Sequence, residues 1–152
     1  MQETPEDKMI RERLMPGQIS PKGFLGTDER PVEEIIAADT AEVEAAGLTT
    51  VQLGELLEEI HQAADQGWES TVSLYDGRIT ARSLEVNGKI PCPFGCGAKC
   101  HKAVIEVNFC GTKIQFTPLD AHMIQVHGFF EGKGSDYRLN PRDIIEIFKC
   151  SR

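Results

Sequence analysis

No apolar run in this 152-residue chain approaches the roughly 20 residues that a helix needs to cross a bilayer. The opening stretch Met1-Gln2-Glu3-Thr4-Pro5-Glu6-Asp7-Lys8 lacks the apolar core of a secretory signal. Both absences lead us to expect a soluble, cytoplasmic protein. The chain also lacks internal repeats and low-complexity segments, which argues against a solenoid or a linker. It has no His-Glu-x-x-His motif, so the commonest zinc-protease signature is missing. It carries five cysteines, an odd number, several of them crowded together. In a reducing compartment that pattern favours metal binding over a disulfide framework.

Negative charge is abundant and unevenly placed. The net charge is -8; residues 1–70 hold 5 Lys or Arg against 16 Asp or Glu, and residues 71–152 hold 11 against 8. Such asymmetry suggests an acidic solvated face in the first half and a different role for the second. Hydrophobic residues make up 40%, enough to build a core.

Taken in order, the chain reads as an α+β protein. It has an N-terminal helical hairpin, an antiparallel β-sheet with a zinc-stabilised ββα-like unit, and a C-terminal helix. Residues 1–30 form a short helix and a partly flexible loop. Thr4 is its N-cap and Pro5 its first helical residue, and Pro16-Gly17 stops it. Phe24-Leu25 pins the loop to the core. Residues 31–67 form an acidic helical hairpin, with Pro31 opening one helix and Thr49 or Thr50 capping the next. Leu53, Leu56, Leu57, Ile60 and Ala64 recur there at helical spacing. Glu55, Glu58, Glu59 and Asp65 form the outer surface. His61 reads as structural, and Trp68 as a buried plug between helices and sheet.

Residues 68–152 form a metal-binding α+β domain. The period changes to two from Ser70, and Asp76-Gly77 marks a hairpin, a signal that Asn87-Gly88 repeats. Strands near 103–109 and 112–117 follow, then a helix at 118–127. Asn140 and Pro141 open the last helix.

The segment from Cys92 to His127 carries the chemistry. Cys92 and Cys96 are separated by three residues in a Gly/Pro-rich knuckle, and His122 and His127 by four on the predicted helix. Both spacings fall in the ranges used by zinc sites, and thiolate with imidazole suits that borderline-soft ion. Residues five positions apart on an ideal α-helix differ by about 140° in bearing. The helix must therefore loosen near its end, and Gly128 supplies that ending. Alternative ligands are Cys100, His101 and Cys110. An all-thiolate site of Cys92, Cys96, Cys100 and Cys110 could hold zinc or an iron–sulfur cluster, although the spacing fits no ferredoxin run. Cys110 and Cys150 otherwise read as free thiols.

The knuckle, the hairpin and the helix Leu119-x-x-His122-x4-His127 together resemble the C2H2-type (ββα) zinc-finger module. The resemblance covers residues 92–127. It implies one structural zinc held by Cys92, Cys96, His122 and His127. The 25 residues between Cys96 and His122 exceed the usual finger spacing of about 12. A finger grown into a larger α+β domain accommodates that difference.

The loop after the site is rich in glycine, positive charge and flat rings. Phe129, Phe130, Lys133, Tyr137, Arg138 and Arg142 are its candidate binding residues, for phosphate or stacked bases. It is not a Walker loop, and it also reads as a connector packed beneath the metal site. Three functions remain open. One is a non-enzymatic zinc module docking on a protein partner through its acidic surface. Another is a nucleic-acid-binding zinc protein using residues 129–142. The third is a metal-dependent enzyme with a cleft near His101, His122 or Cys110.

Overall fold

The computed structural model describes residues 4–152, so the first three residues of the 1–30 segment lie outside the described residues. Three helices come first: α1 (Pro5–Leu14), α2 (Val32–Ala45) and α3 (Thr50–Asp65). Four strands follow: β1 (Val72–Leu74), β2 (Ile79–Pro91), β3 (Lys99–Phe109) and β4 (Thr112–Phe116). The chain ends with α4 (Pro118–His122), a π-helical turn over Met123–His127, and α5 (Pro141–Cys150). This is a mixed α+β architecture. No helix among the described residues is long and apolar enough to cross a membrane.

Local sequence chemistry starts three of the helices in the same way. Thr4 and Asp7, Thr49 and Gln52, and Thr117 and Asp120 each form a reciprocal capping box. In each pair the threonine hydroxyl accepts from the third helical N–H, and that residue's side chain accepts from the threonine N–H. Two donors that would otherwise lack a partner are satisfied at each end.

The sheet is an antiparallel meander in the order β1-β2-β3-β4. The turn before β2 is wider than an Asp-Gly pair alone requires. Leu74 pairs with Ile79, and Tyr75, Asp76 and Gly77 all take left-handed backbone conformations. Asn87-Gly88 does not turn the chain at all. β2 runs through it, and the register with β3 shifts between Glu85 and Lys89. A left-handed glycine can serve a bulge as well as a hairpin, and here the long partner strand keeps the pairing going.

Two clusters of buried side chains hold the layers together. The larger joins Leu53, Leu57 and Ile60 of α3 to Ile79, Ile105 and Val107 of the sheet and to Ile144 and Ile147 of α5. The smaller gathers Leu14, Phe24, Leu25, Ile35, Cys92, Leu119, Met123 and Phe129. The loop 16–30 is thus tied to the core through Phe24 and Leu25. α2 makes its main helix contact with α5 rather than with α3, while α3 lies on the sheet and on the histidine-bearing segment.

Trp68 departs from the sequence expectation: it is 91% exposed. The backbone direction at this joint, not the size of the indole, decides its place. A Cβ at Gly67 would stand 2.6 Å from Val72 Cγ1, and Trp68 and Glu69 are both left-handed, which turns Trp68 outward.

Two predictions follow from this packing. A Cβ at Gly54 of α3 would stand 2.3 Å from Gln125 Cβ and 2.6 Å from its Cα. Gly54→Ala should therefore cost roughly 1–3 kcal/mol by overpacking, despite the better helix propensity of alanine, read as a lowered midpoint in urea. The second concerns Glu106, which faces Arg82 across the β2–β3 pair at 2.8 Å and meets Lys113 at 2.8 Å. Lys113 first, then Arg82, holds its carboxyl down at about 2. A depressed folded-state value stabilises above the unfolded value of about 4.3 and ceases to do so as pH falls through the folded one. Glu106→Gln should lower the melting temperature at pH 7, and the difference from the parent should vanish near pH 2.

Candidate metal centre

Four side chains meet where the knuckle faces the histidine-bearing helix. Cys92, Cys96, His122 and His127 each offer one donor atom, and these atoms lie within 4.8 Å of one another. A tetrahedral ion with sulfur at 2.3 Å and nitrogen at 2.0 Å would set its donors roughly 3.3–3.8 Å apart. Cys96 Sγ and His122 Nε2 are already 3.2 Å apart.

The knuckle is a closed turn between β2 and β3. Cys92 N–H donates to Ala98 O at 2.9 Å, and Gly95 N–H donates to Cys92 O at 3.2 Å. Gly95 and Gly97 both need positive φ, at 75° and 87°. Arg13 of α1 reaches over it and donates from Nη1 to Pro93 O at 2.8 Å. Its guanidinium lies close over Gly95, where a Cβ would stand 2.9 Å from Nη1 and would have to displace it. No motif in the sequence marks Arg13 for this task.

The helix side depends on its change of winding. α4 is α-helical as far as His122, and residues 123–127 are π-helical. A π turn bonds i to i+5 and so brings residues five apart towards one face, which an α-helix does not do. The spacing of His122 and His127 is thereby matched to a shared ligand. Gly128, left-handed at φ 68°, ends the segment, with its N–H on Ile124 O at 3.1 Å.

Stacking fixes one ring. Phe94, from the middle of the knuckle, lies face to face with His127 at 4.3 Å and 10°, and its edge meets Phe129 at 5.5 Å. The two imidazoles stand 5.4 Å apart at 77°. His127 Nε2 is buried and has no hydrogen-bond partner. An unpartnered buried nitrogen costs free energy unless something binds it. The donor set as a whole therefore fits a metal ion.

Protonation preferences point the same way. Burial pushes His122 below the ordinary histidine range; burial, then His122, does the same to His127. Both imidazoles are neutral, the form that ligates. Burial raises the Cys92 thiol to about 12. A thiolate in that place needs a cation beside it, which a bound metal supplies.

The other candidate ligands stand outside the cluster. Cys100 and His101 are on β3, Cys100 half-buried and His101 exposed opposite Lys89. Cys110 sits at the β3–β4 turn, exposed and left-handed at φ 46°. Of the loop residues proposed for binding, Phe129 and Phe130 are 0% and 1% exposed and belong to the two cores. Arg138 is taken by buried Asp39, with Nη2 on Oδ1 at 2.9 Å and a second contact from Nη1 to Oδ2. Tyr137 is half-buried, while Lys133 and Arg142 are exposed. The backbone at Lys133 is occupied within the protein: its N–H donates to Asp28 Oδ2 and its carbonyl accepts from Thr27 N–H. Gly132 makes this close seam possible, since a Cβ there would stand 2.2 Å from Leu25 O.

Beside the centre lies a pair of carboxyls that the sequence does not announce. Asp120 and Glu131 are 2% and 3% exposed, and each carboxyl shifts the other's affinity for protons. Ser135 Oγ donates to Glu131 Oε1 at 2.6 Å. Burial raises both groups, so the pair keeps a proton between its oxygens. Asp120 also accepts from Thr117 N–H at 3.0 Å, so its role is to hold the start of α4.

No protein-family model matches the chain, and no curated protein or solved structure matches it either. The site itself thus defines the class: an α+β protein with a two-thiol, two-imidazole cluster able to hold a metal ion.

One prediction tests the stacking. Phe94→Ala frees the His127 ring without removing a donor. It should weaken metal affinity on the order of tenfold, by analogy with lost outer-shell support, in a competition titration against a chromophoric chelator. Phe94→Leu should recover less than Phe94→Tyr, because orientation by a flat ring is what is lost.

Proposed function

We propose that the chain is a structural zinc protein acting as a non-enzymatic interaction module. The observation that carries the zinc reading is the convergence of two sulfurs and two imidazole nitrogens within one coordination shell. Such a mixed soft and borderline set suits zinc, and four protein donors leave no open position for a reacting water. When bound, zinc would stabilise the Cys92 and Cys96 thiolates and tie the knuckle to the histidine-bearing helix. In comparable small sites this is worth on the order of 10 kcal/mol of folding free energy. Phe94, Arg13 and Gly128 hold the donors in place, and none of them is placed for acid–base work.

The interaction reading rests on surface character. α3 presents Glu55, Glu59 and Asp65 to solvent, and Trp68 projects just beyond its end. A basic protein surface would complement that face. The nucleic-acid reading is weaker. Phe129 and Phe130 have no ring face free to stack on a base, and Arg138 is neutralised by Asp39.

Elemental analysis of the purified protein tests the metal. One zinc per chain, lost in His122→Ala and in Cys96→Ser, is the expected result, with chelator lowering the melting temperature. Iron in its place, or zinc retained in both variants, would overturn the assignment. For the docking face, a Glu55→Lys, Glu59→Lys double variant should abolish capture of a stoichiometric basic partner while keeping its zinc. Capture unchanged by charge reversal, or no partner at all, would refute that part.

A further inference from the structure

Two cysteines outside the metal centre meet at the far end of the sheet. Cys110 opens the β3–β4 turn and Cys150 ends α5, 40 residues later. Their sulfurs are 3.4 Å apart, although the residues belong to different layers. Bond formation needs a closure to about 2.05 Å, within the reach of side-chain rotation at a surface turn.

The surroundings hold this end of α5 in place. Ile79 pairs with Phe109, which sets Arg78 beside the β3–β4 turn. Arg78 Nη1 donates to Arg152 O at 2.8 Å, and the Arg152 guanidinium lies over the Phe148 ring at 4.4 Å. Ser151 Oγ donates to Phe148 O at 2.7 Å. The approach of the two sulfurs is therefore fixed by contacts on both sides. Cys110 is exposed and Cys150 half-buried, so reagents reach Cys110 first.

We propose that Cys110 and Cys150 form a reversible disulfide site that reacts with hydroperoxides, separate from the metal-binding cysteines. In the first step the Cys110 thiolate attacks the O–O bond of the hydroperoxide. The sulfur becomes a sulfenic acid, and water or an alcohol leaves after taking up a proton. In the second step the Cys150 sulfur attacks the sulfenic sulfur. The S–S bond forms and a second water leaves, carrying the hydroxyl and the Cys150 proton. Two thiols have lost two electrons and two protons in all, and one hydroperoxide has been reduced.

The division of roles follows from exposure. The Cys150 thiol is held above its usual range, first by its bond to Cys110. Exposed Cys110 meets the oxidant first and is the attacking sulfur, and half-buried Cys150 beside it is the resolving one. The product would staple the β3–β4 turn to α5. This site and the metal centre share no residue.

The test uses full-length, metal-loaded protein and hydrogen peroxide. After exposure, remaining thiols are alkylated in denaturant and the chain is cut with trypsin. Cleavage after lysine or arginine places Cys110 in the peptide 103–113 and Cys150 in 150–152, apart from Cys92, Cys96 and Cys100. The expected product is those two peptides joined, lighter by two hydrogens and separated again by a thiol reductant. In Cys150→Ser, Cys110 should stop at the sulfenic acid and be trapped by dimedone. Zinc content of the same sample should be unchanged at the peroxide dose that completes the link. Both peptides recovered as separate alkylated thiols would overturn the proposal. So would Cys110 joined only to Cys110 of another molecule.

Discussion

The geometry of the centre depends on one constraint: two histidines five positions apart must face the same point. A regular α-helix cannot do this, because its turn leaves them on different sides. The chain answers with a π-helical turn over Met123–His127, entered from α4 and closed by Gly128. π turns are rare and are found most often at functional sites. Here the wider winding is held by packing rather than by the histidines. Met123 and Ile124 are fully buried, one in each cluster, and Gln125 lies against Gly54 of α3. The donors are therefore positioned by both cores at once.

That arrangement explains why a small site can matter to a chain of this size. The smaller cluster draws on α1, the loop at 24–25, α2, the knuckle and the segment around Phe129, all distant in sequence. Cys92 lies inside it, 4% exposed, with a thiol that burial keeps protonated. A cation would turn that liability into a bond, since it favours the thiolate that burial opposes. Metal binding and consolidation of the smaller core are then one event, as is common where ligands come from separate elements.

Much of this was legible in the sequence, for reasons that are local. The N-caps at Thr4 and Thr49 are local signals, and the ligand set is written in Cys and His spacing; the cap at Thr117 has the same local chemistry but was not singled out in the sequence. The need for a loosened helix at His127 follows from simple geometry. Other features depend on contacts that no spacing encodes. Arg13 reaches the knuckle across 80 residues, and Asp39 meets Arg138 across 99. That last pair turns a cation expected to greet a ligand into an internal tie. Phe129 and Phe130 were ambiguous between stacking surface and core, and only the seam of Gly132 against Leu25 shows how the loop carries them inward. Trp68 misled for the opposite reason. A large aromatic beside a glycine suggests a plug, yet the left-handed backbone at Trp68 and Glu69 carries the indole outward.

The same strand separates two kinds of sulfur chemistry. β3 begins just after the knuckle and ends at Phe109, so its length places Cys110 at the other end of the sheet from Cys92 and Cys96. β3 is 11 residues long, roughly 36 Å when extended, and carries the two sites at its opposite ends. A metal-bound thiolate shares its charge with the ion and is less open to oxidants than a free pair at a surface turn. The fold thus keeps its cysteines in two environments. One is closed and arranged to hold a cation; the other is open, with only a neighbouring thiol beside it. Cys100 belongs to neither: it is half-buried on β3, its proton held by burial. It lies at the knuckle end of the strand, packed against the smaller core yet outside the four-donor cluster.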